Sequence, residues 1–376
     1  VRILQITAAY KPAFVYGGPT MSVAMLCEQL AAAGIYTEVY TTTANGKEDL
    51  SVISGKPVDV DGVTVTYFRR LTGDHTHFSP SLLWALWKTA RNFDLIHIHA
   101  WWNTVSVLSC LVAVMRGTKV VLSPRGTLSA YSFSNKNINS KKLIHELLGK
   151  ALLKRCAIHA TSEREARAVK TSFGLENVFV VPNFVSLPDM PHKVDRIADN
   201  ILRMTFFSRI EQKKGLDLLI NALPAIDFKY RLSIAGNGDA GYIQDLKLLA
   251  KKNAVDQNID WVGFLQNDKF EFLAGQDMLV LASHDENFAN VVIEALSEGT
   301  AVLITRQVGL SDYVADRNLG WICEPSAGSI ADELEAIQKQ PEVLKQIRLD
   351  APIQIRKDFD NHESVQRYLA MYQNII

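Results

Sequence analysis

Arg203-Met204-Thr205-Phe206-Phe207-Ser208-Arg209-Ile210-Glu211-Gln212-Lys213-Lys214-Gly215-Leu216 is the stretch on which the reading of the fold turns. It opens with a short, mostly apolar run, Arg203–Phe207, passes through a basic loop, and enters an amphipathic pattern at Leu216–Leu223. Strand, loop and helix in that order make one βα unit. A continuous apolar run, rather than alternation, is what a parallel strand covered on both faces requires.

The same unit recurs on both sides. Upstream, the expected strands are Arg2–Ile6, Tyr36–Thr41, Val63–Phe68, Leu95–His99, Lys119–Ser123, Ala157–Ala160 and Val178–Val181. Downstream they are Tyr230–Ala235, Ile259–Val262, Met278–Leu281 and Ala301–Ile304. Helical patterns such as Met21–Ala33, Ile243–Lys252 and Val291–Glu298 lie between them. Alternating β and α segments predict doubly wound parallel sheets. The pattern pauses over 183–201, a stretch with Pro188, Pro191 and several charges and no clear period, which reads as a linker. Two Rossmann-like domains facing across a cleft follow, residues 1–190 and 200–355. In open α/β sheets ligands bind beyond the carboxyl ends of the strands, so residues just after strands are the candidates.

Composition agrees with two globular cores: of 376 residues 48% are hydrophobic and 21% charged. Lys plus Arg equals Asp plus Glu at 40 each, which argues against a nucleic-acid partner held by bulk positive charge. Cys27, Cys110, Cys156 and Cys323 form no CxxC pair and read as scattered reduced thiols, pointing to a cytoplasmic protein. No signal-peptide pattern opens the sequence, and no apolar run reaches the roughly 18 residues that span a bilayer. The longest, Val105 to Met115, reads as a buried helix.

In the second half, Arg209 and Lys214 place two cations beside a helix N-terminus, a site suited to a diphosphate, although a solvated basic turn would look the same. Gly236 and Gly238 close one strand, and Gly263-Phe264 another, in loops that could approach a nucleobase through backbone groups. In Ser283-His284-Asp285-Glu286-Asn287-Phe288-Ala289-Asn290-Val291-Val292-Ile293-Glu294, Glu286 follows a strand and Glu294 sits among apolar helix residues. A carboxylate there needs a partner, and a ribose diol supplies two hydroxyl donors.

Arg209, Lys214-Gly215, Gly236/Gly238, and Glu286 followed eight residues later by Glu294, with Gly299 beyond, resemble the retaining glycosyltransferases of the GT-B fold, family GT4, over nearly the whole chain. The resemblance implies that Arg209 and Lys214 hold the donor diphosphate, that Glu294 holds the ribose, and that Glu286 touches the transferred sugar. It also implies that Asn290, Val291 and Val292 offer backbone N–H groups to the phosphates. The last helix, within 356–376, is expected to pack back on the first domain. Ala301 and Asp312 stand where the family often has Pro and Glu.

In the first half, Gly17-Gly18 does not match GxGxxG, which counts against a nicotinamide dehydrogenase. It resembles the family's glycine loop beside the donor phosphates. His97 and His99 share a strand face, and the resemblance implies that His99 contacts the donor sugar. Trp101 and Trp102 either stack on a sugar or pack in the core. Arg125, where many relatives carry His before the glycine, either reaches a phosphate or an acidic acceptor group, or forms a surface ion pair. Glu163 is a weaker acceptor-side candidate. Asp59-Val60-Asp61 looks like a metal-binding DxD but reads better as a hairpin turn before Val63. No metal or other cofactor is expected.

Lys136, Lys141, Lys142, Lys150, Lys154 and Arg155, with leucines at helical spacing, make 135–155 a candidate for peripheral contact with anionic membrane; a core-facing helix with a solvated face fits as well. The expected function is transfer of a hexose from a nucleotide-diphosphate sugar, UDP-linked before GDP-linked, to a saccharide or polyprenol-linked acceptor in polysaccharide or lipopolysaccharide assembly. A sugar-nucleotide epimerase, a phosphorylase and a two-lobed binding protein are the alternatives.

Overall fold

The short β-rich runs of the first half form strands β1 (Arg2–Ile6), β2 (Tyr36–Thr42), β3 (Ala44–Asn45), β4 (Glu48–Asp49), β5 (Pro57–Val60), β6 (Val63–Phe68), β7 (Leu95–His99), β8 (Lys119–Ser123), β9 (Ala157–Ala160) and β10 (Val178–Val180). They come from a computed structural model that describes residues 1–73, 76–129, 149–194, 199–265 and 268–376. Eight of these strands make one sheet in the order β10-β9-β8-β7-β1-β2-β6-β5. All its pairs are parallel except β5 with β6. That pair turns at Asp61 and Gly62, both at positive φ, as an Asp-Gly hairpin requires. Asp61 accepts from Lys11 Nζ at 2.8 Å.

Sheet order reverses at β1: β2 and β6 continue on one side, β7 to β10 on the other. The switch point therefore lies between β1 and β7, and the loops after those two strands flank it. One face of the central strands is apolar: Leu4, Ile6, Ile96, Ile98, Leu122 and Ile158 pack with helices Pro80–Thr89 and Thr104–Arg116. The other face mixes Ile3, Leu95 and Val121 with Gln5, His97, His99, Ser123 and His159, all buried. Register explains the grouping, since Gln5 pairs with His97 and His99 with Ser123, and residues two apart share a face. Helix Asn361–Ile375 covers this polar face with Tyr368 and Tyr372.

Helix Thr104–Arg116 is buried on one side only; Val105, Val107, Cys110 and Ala113 are inside and Met115 is exposed. Asn103 caps it by accepting from Ser106 N at 2.8 Å, and Gly117 ends it in the left-handed region. All four cysteines are buried and unbridged, yet the Sγ atoms of Cys110 and Cys156 lie 3.4 Å apart.

The second half forms β11 (Leu202–Phe207), β12 (Tyr230–Ala235), β13 (Ile259–Gly263), β14 (Met278–Leu281), β15 (Ala301–Thr305) and β16 (Gly320–Cys323). They make a wholly parallel sheet in the order β13-β12-β11-β14-β15-β16, with its switch point between β11 and β14. Strand β16 was not anticipated: it is short and opens with glycine. A Cβ at Gly320 would strike the Val302 carbonyl, so glycine is what admits this edge strand beside β15.

The chain divides into two units, Val1–Phe184 with Asn361–Ile376, and Val185–Asp360. Arg356 stays with the second unit, donating to the carbonyls of Ser297 at 2.8 Å and Pro188 at 3.1 Å. Of the basic segment 135–155, residues 135–148 lie outside the described residues. Among the described residues no helix is long and apolar enough to cross a membrane.

Candidate functional site

In the second unit the switch point gathers the loops after β11 and β14. Gly215 ends the first loop at φ 67°, and a Cβ there would strike the Ala282 carbonyl. The two loops are thus in backbone contact, and His284 N donates to Lys213 O at 2.9 Å. That contact sets Lys214 against Glu286, whose charged ends form an ion pair, and Lys213 against Asp285, 2.9 Å apart. Glu286 is held from the other side, its N–H donating to Gln307 O at 3.1 Å and its carbonyl accepting from Gly309 N at 2.8 Å. Arg209 is more open and pairs with Glu211 at 2.6 Å, an exposed contact of little intrinsic strength.

Gly236 and Gly238 are explained within the protein. A Cβ on either would collide with the carbonyls of Ser208 or Ile210, so these glycines bring the β12 loop onto the β11 loop. Gly263 differs: its φ is 82° and open space surrounds its Cβ position, with exposed Phe264 next to it.

Helix Asn290–Ser297 begins after Ala289, which is left-handed at φ 70°. A non-glycine residue there costs on the order of 1–2 kcal/mol and persists only where its surroundings hold it. The first-turn N–H groups of Asn290, Val291 and Val292 open this helix, and Val292 N already donates to Ala289 O at 2.9 Å. Glu294 does not meet Glu286 in a pair. Its partner is Lys269, at 2.9 Å. Lys269, Lys213 and Asp285 escaped sequence reasoning. Lys213 and Asp285 adjoin residues that were singled out, but nothing in the spacing ties Lys269 to a helix 25 residues on.

In the first unit, Gly17 is left-handed at φ 64° and caps helix Gly18–Ala32, with open space where a side chain would project. His99 is buried, and both ring nitrogens are engaged. A guanidinium can only donate, so Nδ1 accepts from Arg125 Nε at 3.2 Å and Nε2–H donates to Gln5 Oε1 at 2.8 Å. Both ring nitrogens are thus engaged inside the first unit. His159 Nε2 donates to Val181 O at 2.8 Å, so Ser123 donates to His159 Nδ1 at 2.5 Å and accepts from His97 Nε2 at 2.6 Å. His97 Nδ1 then accepts from Tyr372 at 2.8 Å. Burial first, then neighbouring positive charge, pushes His97 and His99 well below the usual histidine range; burial takes His159 down to about 3. All three rings are neutral.

Trp101 is fully buried in the core, which corrects its place among acceptor-stacking residues. Trp102 packs against the same core and donates from Nε1 to Thr127 O at 2.6 Å. Glu163 is exposed in the first turn of helix Glu163–Phe173, while Glu165, two residues on, is buried and accepts from Gly126 N and Thr161 N, each at 2.8 Å. Ala100 and Arg125, like Ala289, are non-glycine residues at positive φ just after strands.

The comparisons follow this geometry. The description "Glycosyltransferase Family 4" matches residues 16–188, and "Glycosyl transferases group 1" matches 192–352. A glycogen synthase from Leptothrix cholodnii is 28% identical over 178 residues, 45% of this chain but only 36% of its own. An uncharacterized glycosyltransferase of Methanocaldococcus jannaschii is 24% identical over 88% of this chain and 87% of its own. Among solved structures, Anabaena HepE in complex with UDP superposes with TM-score 0.76 at 18% identity over 100% of both chains. The two sheets define the GT-B class of α/β protein. Within it, the chain belongs to the family 4, group 1 glycosyltransferases.

Proposed function

We propose that the chain is a retaining hexosyltransferase that uses a UDP-sugar before a GDP-sugar, and that its second unit holds the donor. The observation that carries this reading is the Lys214–Glu286 pair at the switch point. The pair presents a cation for a phosphate oxygen and a carboxylate for sugar hydroxyls, and a donor would exchange their mutual contact for its own two. Arg209, free to leave Glu211, joins Lys214 on the diphosphate. Glu294 with Lys269 faces the ribose. The N–H groups of Asn290 and Val291 and the open backbone at Gly263 take the remaining polar edges, with Phe264 beside the base. The bond from the anomeric carbon to the diphosphate breaks as the bond to the acceptor hydroxyl forms, and the hydroxyl proton passes to the departing phosphate oxygen. Cationic side chains stabilise the leaving diphosphate, so no metal is needed in this reading.

The HepE structure contains UDP, and another fold neighbour, WaaG, is titled a glycosyltransferase of lipopolysaccharide biosynthesis; both support a saccharide or lipid-linked acceptor in polysaccharide or lipopolysaccharide assembly. Peripheral contact with the inner, cytoplasmic face of a membrane belongs to the same proposal. Exposed Trp84 and Trp87 support it, with Lys88 4.7 Å and Arg116 5.0 Å from their ring centres, a combination suited to anionic lipid. No flotation with anionic vesicles would remove that part.

The deciding test is thermal denaturation with UDP, GDP, ADP and phosphate, with and without chelator. A rise with UDP but not with GDP or ADP, unchanged by chelator, is expected. Indifference to every nucleoside diphosphate would overturn the donor site and favour the binding-protein alternative.

A further inference from the structure

Arg125 carries the least explained charge in the first unit. Its Nε donates to neutral His99, and Nη1 donates to Ser22 Oγ at 2.8 Å and Asn183 Oδ1 at 3.1 Å. Its Nη2 is buried and has no hydrogen-bond partner among the described residues. Among those residues Arg125 also makes no ion pair. The nearby carboxylate, Glu165, is taken up by Gly126 N, Thr161 N and Thr161 Oγ1.

The neutrality extends beyond the first neighbours. From Arg125 the donors run in one direction, through His99, Gln5, Tyr372, His97, Ser123 and His159 to the Val181 carbonyl. Each link is fixed by the one before, and no link brings a negative charge to the guanidinium. A buried guanidinium N–H edge without an acceptor is costly, and natural proteins keep one where a ligand completes it. The backbone agrees: Arg125 is left-handed at φ 51°, followed by Gly126 at φ 77°. The loop accepts strain that aims this side chain inward against Ser22 and Asn183.

We infer that Arg125, with Ser22 and Asn183, forms an oxyanion subsite in the first unit, distinct from the donor-diphosphate residues, and that it takes a phosphate ester or carboxylate borne by the acceptor. The acceptor is thus an anionic substrate. Its identity as acceptor rests on the proposed function; the existence of the site does not. A planar guanidinium with one free Nη2–H edge fits either oxyanion.

The test compares the whole chain with Arg125→Met, Arg125→Gln and Lys214→Ala by thermal denaturation. Inorganic phosphate and, separately, glucuronate are titrated at ionic strength matched with sodium chloride. Wild type and Lys214→Ala should rise together by roughly 2–4 °C once an anion reaches about ten times its Kd. The Arg125 variants should not respond. Response to phosphate alone names a phosphate ester, to glucuronate alone a carboxylate. The inference is overturned by no response in wild type, by responses of the Arg125 variants equal to wild type, by loss of response in Lys214→Ala, or by failure of both Arg125 variants to fold. Absence of UDP binding with an intact Arg125-dependent response would sink the donor reading alone.

Discussion

The two units use one architecture and opposite electrostatics. Each is a largely parallel sheet with a switch point, and each places its candidate residues at or beyond strand ends: Lys214 and Glu286 follow the two strands flanking the second switch point, while Arg125 follows β8, beside the first. In the second unit every candidate cation has a carboxylate partner: Lys214 with Glu286, Lys213 with Asp285, Lys269 with Glu294, Arg209 with Glu211. In the first unit the strand ends carry three neutral histidines and one arginine that makes no direct ion pair among the described residues and keeps a buried Nη2 without an acceptor. Paired charges near solvent are ready to exchange partners, which suits a ligand that brings both anion and hydroxyls. A buried neutral network cannot exchange; it holds one cation still. The lesson is that equivalent positions in the fold say where a ligand goes, and the charge state of the surrounding network says what sort of ligand it is.

The strongest way to break this comparison is acid. His97, His99 and His159 have folded pKa values below their unfolded value of about 6.5, so their stability contribution is present above that pH. It is lost as pH falls below about 6.5, because the unfolded chain binds protons that the folded one refuses. Each ring contributes about 1.4 kcal/mol per pH unit in that window, together about 4 kcal/mol. Urea midpoints measured between pH 7 and pH 5 should fall steeply, and His159→Gln should flatten the slope. A slope unchanged by that substitution would mean that the histidine network is not what makes the first unit acid-sensitive.

Packing gives the next largest effect. Gly236→Ala forces a methyl group onto the Ser208 carbonyl and should lower stability by about 3 kcal/mol in denaturant unfolding, whereas Gly263→Ala meets only backbone strain and should cost about 1 kcal/mol. Equal costs would break the distinction between the glycine that binds two loops and the one left open.

For function, Lys214→Ala and Glu294→Ala should each reduce turnover about a hundredfold or more while circular dichroism stays native. Near wild-type rates in both would remove the donor site from the second unit. The smallest effect sharpens the first unit: Glu163→Ala should change stability by no more than about 0.5 kcal/mol, while Glu165→Ala, which leaves Gly126 N and Thr161 N without their acceptor, should cost about 2 kcal/mol.

Most of the sheet architecture was legible because buried parallel strands write themselves as apolar runs. Of the strands, β3, β4, β5 and β16 escaped; β16 did so because its first residue is glycine and its role is steric. The donor-side loops were legible as positions, since Arg209, Lys214, Glu286 and Glu294 stand just after strands or in the helices that follow. Their pairings were not. Lys214 and Glu286 are separated by 72 residues, and the contact depends on Gly215 passing the Ala282 carbonyl. Trp101 stayed open between stacking and core packing for a related reason: it follows a strand end, where ligand contact and core packing look alike in sequence.

The sequence by itself determined the βα alternation, the two-part organisation and the family, because these depend on local periodicity and on motifs within single loops. Only the tertiary structure decided which charges neutralise one another, that the three histidines form one directed network under Tyr372, and that Arg125 keeps a buried Nη2 without an acceptor. Charge compensation depends on distances of a few ångströms between residues up to 367 positions apart in the chain, and no local pattern encodes it.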